Sequence, residues 1–263
     1  MRRILAFLLV AGLNAGCGLL PDQIDETKDW SANKLYTTAK DELDSGNFER
    51  AVKLYESLEA RYPYGAYAQQ AQLEIAYAYY KDNEPVSAVA ACDRFIKLHP
   101  NHANVDYAYY LKGLANFVED QSLLASLGNQ DMSARDPKSA REAFDAFRDL
   151  VTRFPDSKYA ADASARMHYL VNALASHEVH VAGYYYRRGA YVAAANRAKQ
   201  VLEHYQQSPA LEDALGIMVR SYDRMGMNDL RDDANRVLRK NFPNSAWLTV
   251  DNPLKEKSWW KFW

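Results

Sequence analysis

The sequence predicts an all-α protein built from stacked helical hairpins, and three observations carry that expectation. The first is composition: 39 Ala stand against 11 Gly and 9 Pro in 263 residues. Alanine is the best helix former and glycine and proline the worst, so a chain weighted this way favours helix throughout. The second is a recurring punctuation, an aromatic residue or His, then Pro, then turn residues. It reads Tyr62-Pro63-Tyr64-Gly65, His99-Pro100-Asn101-His102, Phe154-Pro155-Asp156-Ser157 and Phe242-Pro243-Asn244-Ser245, with a degenerate copy at Tyr205-Gln206-Gln207-Ser208. The third is what stands at fixed distances before each anchor. Twelve residues back lie Ala51, Ala88, Ala143 and Ala194, with Arg231 as the exception. Eight back lie Tyr55, Cys92, Phe147, Ala198 and Asn235; five back, Leu58, Phe95, Leu150, Val201 and Leu238 are apolar in every copy. Seventeen back lie Gly46, Asn83, Lys138, Gly189 and Gly226.

Each position has a physical task in a helical hairpin. Gly or Asn relaxes the turn between the two helices, since these residues adopt a positive φ most easily. The small Ala lets the second helix approach the first. The residues four and seven later continue the same buried face. Proline then ends the second helix, because it has no N–H to continue the ladder. The anchors at 63, 100, 155, 206 and 243 lie 37, 55, 51 and 37 residues apart. Two gaps are near the tetratricopeptide period of about 34 residues and two carry insertions of about 20. The expected fold is a TPR-like helical-hairpin solenoid of five repeats, the fifth being the most polar, as suits a terminal cap.

The elements follow in order. Residues 1–16 read as a signal peptide: Arg2 and Arg3, an apolar stretch from Ile4 to Leu13, then small residues before Cys17. Ten apolar residues fall well short of the ~20 that span a bilayer. Ala15-Gly16-Cys17 resembles the end of a bacterial lipobox, with Asn14 where such signals prefer Leu. That resemblance implies a diacylglycerol on Cys17 and, with Gly18 rather than Asp next, sorting to the outer membrane. Read as an ordinary secretory signal, the segment would end at Ala15 or Gly16 and leave Cys17 incidental. Residues 17–30 carry the lipidated Cys and an acidic tether (Asp22, Asp25, Glu26, Asp29). The repeats span 31–245, with helices near 31–45, 47–61, 66–81, 84–98, 103–119, 136–153, 157–187, 190–205, 209–225 and 228–240. Residues 120–135 are an inserted loop, after which Asp136 caps a helix with Pro137 in its first turn. The long 157–187 helix accounts for the second insertion. Residues 246–263 form a tail holding three of the five Trp in its last five residues. Such a tail packs on a partner, dips into a membrane interface or folds back onto the last repeat.

Composition also excludes function classes. A net charge of −2 offers no global attraction to nucleic acid. A mean hydropathy of −0.46 excludes a multi-span membrane protein. Two Cys exclude a disulfide framework, and Cys92 reads as a small buried apolar residue. No phosphate loop, nucleophile elbow or His-Glu-x-x-His occurs. His177 with His180 and His99 with His102 lack a third ligand and read as exposed polar residues. The chain is therefore expected to be no enzyme and to carry no metal or cofactor. What it offers instead is tyrosine. Tyr-Ala-Tyr-Tyr occurs at 77–80 and again at 107–110, and Tyr184-Tyr185-Tyr186 forms a run. Tyr gives large contact area at low entropy cost, so Tyr77, Tyr79 and Tyr80 are candidates to line a peptide groove.

The opening repeat runs from Leu35-Tyr36 through Gly46-Asn47-Phe48-Glu49-Arg50-Ala51 to Tyr62-Pro63, and Gly189-Ala190-Tyr191-Val192 leads into Asn196-Arg197. With five repeats after a lipobox Cys, the chain resembles the BamD (ComL) family of outer-membrane β-barrel assembly lipoproteins. The resemblance implies a periplasmic scaffold without catalysis. Its N-terminal repeats would receive unfolded outer-membrane proteins, and its C-terminal repeats would dock a POTRA domain of BamA beside other Bam lipoproteins. Arg197 matches the position whose Arg pairs with an acidic residue of that partner, with Asn196 beside it. Trp259 and Trp260 lie outside the family pattern and are candidates for partner binding. A TPR lipoprotein that coordinates cell-wall enzymes would share the fold and the anchor.

Overall fold

The structure, a computed structural model, describes residues 26–117 and 137–250. Among these residues it holds ten α-helices and no strand: α1 (Ala32–Asp44), α2 (Phe48–Arg61), α3 (Ala66–Lys81), α4 (Pro85–Leu98), α5 (Val105–Asn116), α6 (Lys138–Arg153), α7 (Ala160–Arg187), α8 (Tyr191–His204), α9 (Leu211–Arg224) and α10 (Asn228–Asn241). A 3₁₀ turn at Ala246–Leu248 follows. Every helix packs on its neighbours in sequence, and among the described residues α1 also touches α3, α3 touches α5 and α7 touches α9. The first helices of successive pairs therefore form one layer and the second helices cover it.

The repeat positions act as their chemistry requires. Ala51, Ala88, Ala143 and Ala194 are fully buried, as are Leu58, Phe95, Leu150, Val201 and Leu238. Gly46, Asn83, Gly189 and Gly226 turn between paired helices at φ of 82°, 60°, 79° and 71°. These are left-handed conformations that favour Gly and tolerate Asn. Tyr62, His99, Phe154, Tyr205 and Phe242 end the second helices at φ near −130°, each donating its N–H to the residue four back, the apolar position of the motif.

Lys138, which holds the turn position of the count, is the first residue of α6, inside the helix expected from 136 to 153. The chain reaches α6 through the insertion after α5, so no tight turn is needed there. Pro137 occupies the N-cap position rather than the first helical turn. Of the three courses open to the segment after residue 245, residues 246–250 take the fold-back onto the last repeat. Trp247 is buried against Gly216 of α9, where any added Cβ would overlap the indole. Its Nε1 donates to Asp213 at 2.8 Å, and Arg220 donates to the carbonyls of Trp247 and Val250 at 3.1 and 2.9 Å. Residues 246–250 thus cover the apolar side of the last hairpin, whose α10 buries only Ala234 and Leu238. Gly113 plays a similar part earlier, since a Cβ there would overlap the Phe147 ring. The expected signal peptide, most of the tether, the 120–135 loop and the Trp-rich end lie outside the described residues.

The core divides along the stack. One buried cluster joins α1, α2 and α3; another joins α3 to α7 around Phe95, Phe147 and Leu150; a third joins α7 to α10 around Ile217 and Trp247.

Candidate binding surfaces

The first surface is a groove of about 710 Å³ across the first three repeats. It is lined from α1, α3, α5 and the approach to α7, the first helices of their pairs, because their outer faces have no further layer to cover them. Its floor carries Leu73, Tyr77, Tyr107 and Tyr159. The Tyr107 and Tyr159 rings lie 5.4 Å apart, and Tyr110 stacks on Tyr159 at 4.7 Å. Burial raises the Tyr107 hydroxyl well above its ordinary pKa, with Tyr77 and Tyr159 adding to the effect, so it remains a neutral donor. Four carboxylates (Asp44, Glu74, Asp106, Asp156) and two amines (Lys40, Lys158) line the walls. Lys40 pairs with Glu74 at 3.5 Å, and Ser157 donates to Asp106 at 2.7 Å. The arrangement suits an extended chain with aromatic side chains.

Of the three tyrosines expected to share this groove, only Tyr77 lines it. Tyr79 lies about 200° around the helix from Tyr77 at about 100° per residue. It packs half-buried on the first cluster, where burial, Glu56 and Glu84 raise its hydroxyl pKa. Tyr80 packs beside Ala76, Cys92 and Leu111. Tyr159 stands four residues after its anchor Pro155, the register that Tyr67 holds after Pro63, but Tyr67 does not line the groove, so the spacing alone does not find it.

The second surface lies on the fourth repeat. Tyr185, Ala193, Asn196, Arg197 and Gln200 line a shallow depression of about 380 Å³, so the two expected docking residues are neighbours. Arg197 Nη1 donates to Glu178 Oε2 at 3.0 Å. Arg141 Nη2 donates to the other oxygen, Oε1, at 3.4 Å. The Glu178 side chain is 5% exposed, whereas those of Arg141 and Arg197 are 53% and 46% exposed. Arg197, expected to meet an acid of a partner, already holds one of its own chain. Glu178 and Arg141 had no sequence signal, because their meeting joins different helices at a separation of 37 residues that no repeat spacing marks.

Burial pushes the Cys92 thiol up to about 12, with Asp93 adding and Lys112 opposing. His99 and His102 are not exposed polar residues: both rings pack on Phe95, and His99 Nε2 meets Gln72 Oε1 at 2.9 Å. Among the described residues no group of three His, Cys, Asp or Glu could hold a metal ion. Cys17, Trp259 and Trp260 lie outside the described residues.

Paired helices in register, left-handed Gly or Asn at the hairpin turns and a groove lined by first helices define the class, a tetratricopeptide-like scaffold. The chain matches the YfiO family of outer membrane lipoproteins over residues 28–238 and belongs to that family. It is 50% identical, over the full length of both chains, to outer membrane protein assembly factor BamD of Neisseria meningitidis serogroup A. The BamD of Neisseria gonorrhoeae is 54% identical over 90% of this chain and 89% of that one. The BamD of Vibrio cholerae is 35% identical over 90% of this chain and 97% of that one.

Proposed function

We propose that this chain is an outer membrane protein assembly factor, a periplasmic scaffold of the β-barrel assembly machine. A lipid on Cys17 anchors it to the outer membrane, since two or more acyl chains hold a protein stably at a bilayer. Extended segments of unfolded outer-membrane proteins enter the groove of repeats one to three and press aromatic side chains on Tyr77, Tyr107 and Tyr159. A POTRA domain of BamA docks around Asn196 and Arg197, with other Bam lipoproteins alongside, and Trp259 and Trp260 add aromatic area for such partners. The work is to hold two chains in fixed relation, which requires no cofactor. The observation that carries the reading is identity of 50% along the whole length to a protein of that function.

The test is affinity purification of the tagged chain from detergent-solubilised outer membrane. BamA and its lipoproteins are expected in the eluate. Recovery of peptidoglycan enzymes without BamA would replace this reading with the cell-wall alternative. Arg197→Glu is expected to lower BamA recovery while far-UV circular dichroism stays unchanged; full recovery would remove Arg197 from the docking surface.

A further inference from the structure

We propose that the groove of repeats one to three selects by charge: the extended segment it takes carries a lysine or arginine beside its aromatic side chains, and Asp106 holds that cation. This names the substrate class of the groove, and it rests on the proposed entry of unfolded chains there.

Four carboxylates against two amines leave the groove a surplus of two negative charges. Asp156 and Lys158, both exposed on the turn before α7, offset each other. The surplus therefore sits in two places, on either side of the tyrosine floor. On one side Lys40 Nζ lies 3.5 Å from both Asp44 and Glu74, so one ammonium serves two carboxylates. On the other side stands Asp106, half-buried in the first turn of α5. Neutral donors alone fix it: Oδ1 accepts from the Tyr107 N–H at 2.8 Å, and Oδ2 accepts from the Ser157 hydroxyl at 2.7 Å. Asp93 on α4 and Asp162 on α7 are paired instead, with Lys112 and Arg166 at 2.6 Å each. Among the described residues no Lys or Arg pairs with Asp106. Lys158, the other amine of the groove, lies over the Tyr159 ring, 4.9 Å from its centroid.

Asp106 is thus an oriented acceptor with charge to spare. A carboxylate has about four acceptor sites, and two bonds leave room for an incoming ammonium or guanidinium. Its two bonds come from different elements, α5 and the turn before α7, so its orientation is set before any ligand arrives. Charge of one sign in a cleft with low-dielectric walls attracts a counter-charge more strongly than the same charge on an open surface. The faces of the neighbouring tyrosines also attract cations. Successive residues of an extended chain step about 3.3 Å. A lysine within two residues of an aromatic side chain can therefore reach Asp106 while the ring lies on Tyr107, the next residue of α5. An acidic segment meets repulsion at both sides of the floor. Aromatic content gives affinity, and the walls discriminate among segments of equal aromatic content.

The experiment uses the full chain with Cys17→Ser, which is not acylated, and three fluorescein-labelled ten-residue peptides as probes. The peptides share their aromatic positions and carry Lys, Gln or Glu at the two positions that flank them. Dissociation constants are measured by anisotropy at low and high salt. The Lys peptide is expected to bind about fivefold more tightly than the Gln peptide, in the range of a half-exposed charge pair, and the Glu peptide more weakly than either. High salt should shrink these differences. Asp106→Asn should narrow the Lys-to-Gln ratio to about twofold, and Glu74→Gln should narrow it too. A ratio taken within one variant cancels any loss of folded protein, which a purely structural role would not move. If the three peptides bind alike while Tyr77→Ala weakens them all, selection by charge is overturned and the groove stands. If the full ratio survives in both carboxylate variants, the assignment to these walls is overturned. If Tyr77→Ala leaves all three affinities unchanged, or no peptide binds, the groove reading itself fails.

Discussion

Cys92 shows how position removes the reactivity of a residue. Its thiol is fully buried and pushed up to about 12 by loss of solvation, so almost none is thiolate near neutral pH. In the Cys17→Ser chain, where Cys92 is the sole thiol, native protein at pH 8 should resist maleimide for hours and react within minutes in guanidinium. Fast native labelling would show that α4 opens readily. The tyrosines make the opposite point about legibility. The sequence shows that Tyr77, Tyr79 and Tyr80 are interaction-prone, but it does not show that helix rotation turns Tyr77 to the groove and Tyr79, two residues on, away from it. Tyr77→Ala is expected to weaken binding of an aromatic peptide by roughly tenfold, as for a well-buried aromatic contact. Tyr79→Ala should leave that affinity unchanged while costing stability. Equal losses in both would mean that the peptide does not sit in the groove.

At the scale of the element, the hairpin turn was legible because its constraint is local. A positive φ demands Gly or Asn whatever packs nearby, and four of the five positions found by counting have it. Gly189→Ala places a Cβ in that conformation and should cost about 1 kcal/mol, read as a drop in melting temperature. Lys138 holds the same count without a turn, because it opens the helix expected after the 120–135 insertion. The packing of Trp247 on Gly216 was hidden. Trp247 holds the register of Tyr67 and Tyr159, but Gly216 has no place in the repeat pattern, and the contact joins positions 31 residues apart. Trp247→Ala should cost about 3–5 kcal/mol, typical of deleting a buried large aromatic. Hydrogen exchange should show the loss in α9 and α10, with α1 to α3 keeping their protection. Loss of protection along the whole chain would contradict local capping.

At the scale of the molecule, buried clusters follow one another along the stack, and each repeat contacts mainly its neighbours. Stability then approximates a sum of repeat and interface terms, and distant sites act independently. Tyr77→Ala should therefore leave BamA affinity unchanged, and Arg197→Glu should leave peptide affinity unchanged. Coupling of more than about 0.5 kcal/mol between them, measured by a double-mutant cycle, would show that the scaffold transmits a signal. The sequence by itself determined the all-α class, the five hairpins and most helix boundaries, because proline stops, left-handed turns and the 3.6-residue period act within a few residues of chain. Only the tertiary structure decided which tyrosine faces the groove, that Trp247 closes the last hairpin, and that Glu178 gathers Arg141 and Arg197. Those are meetings between helices. Helix rotation and stacking offset set them, and neither leaves a mark at a fixed spacing in the chain.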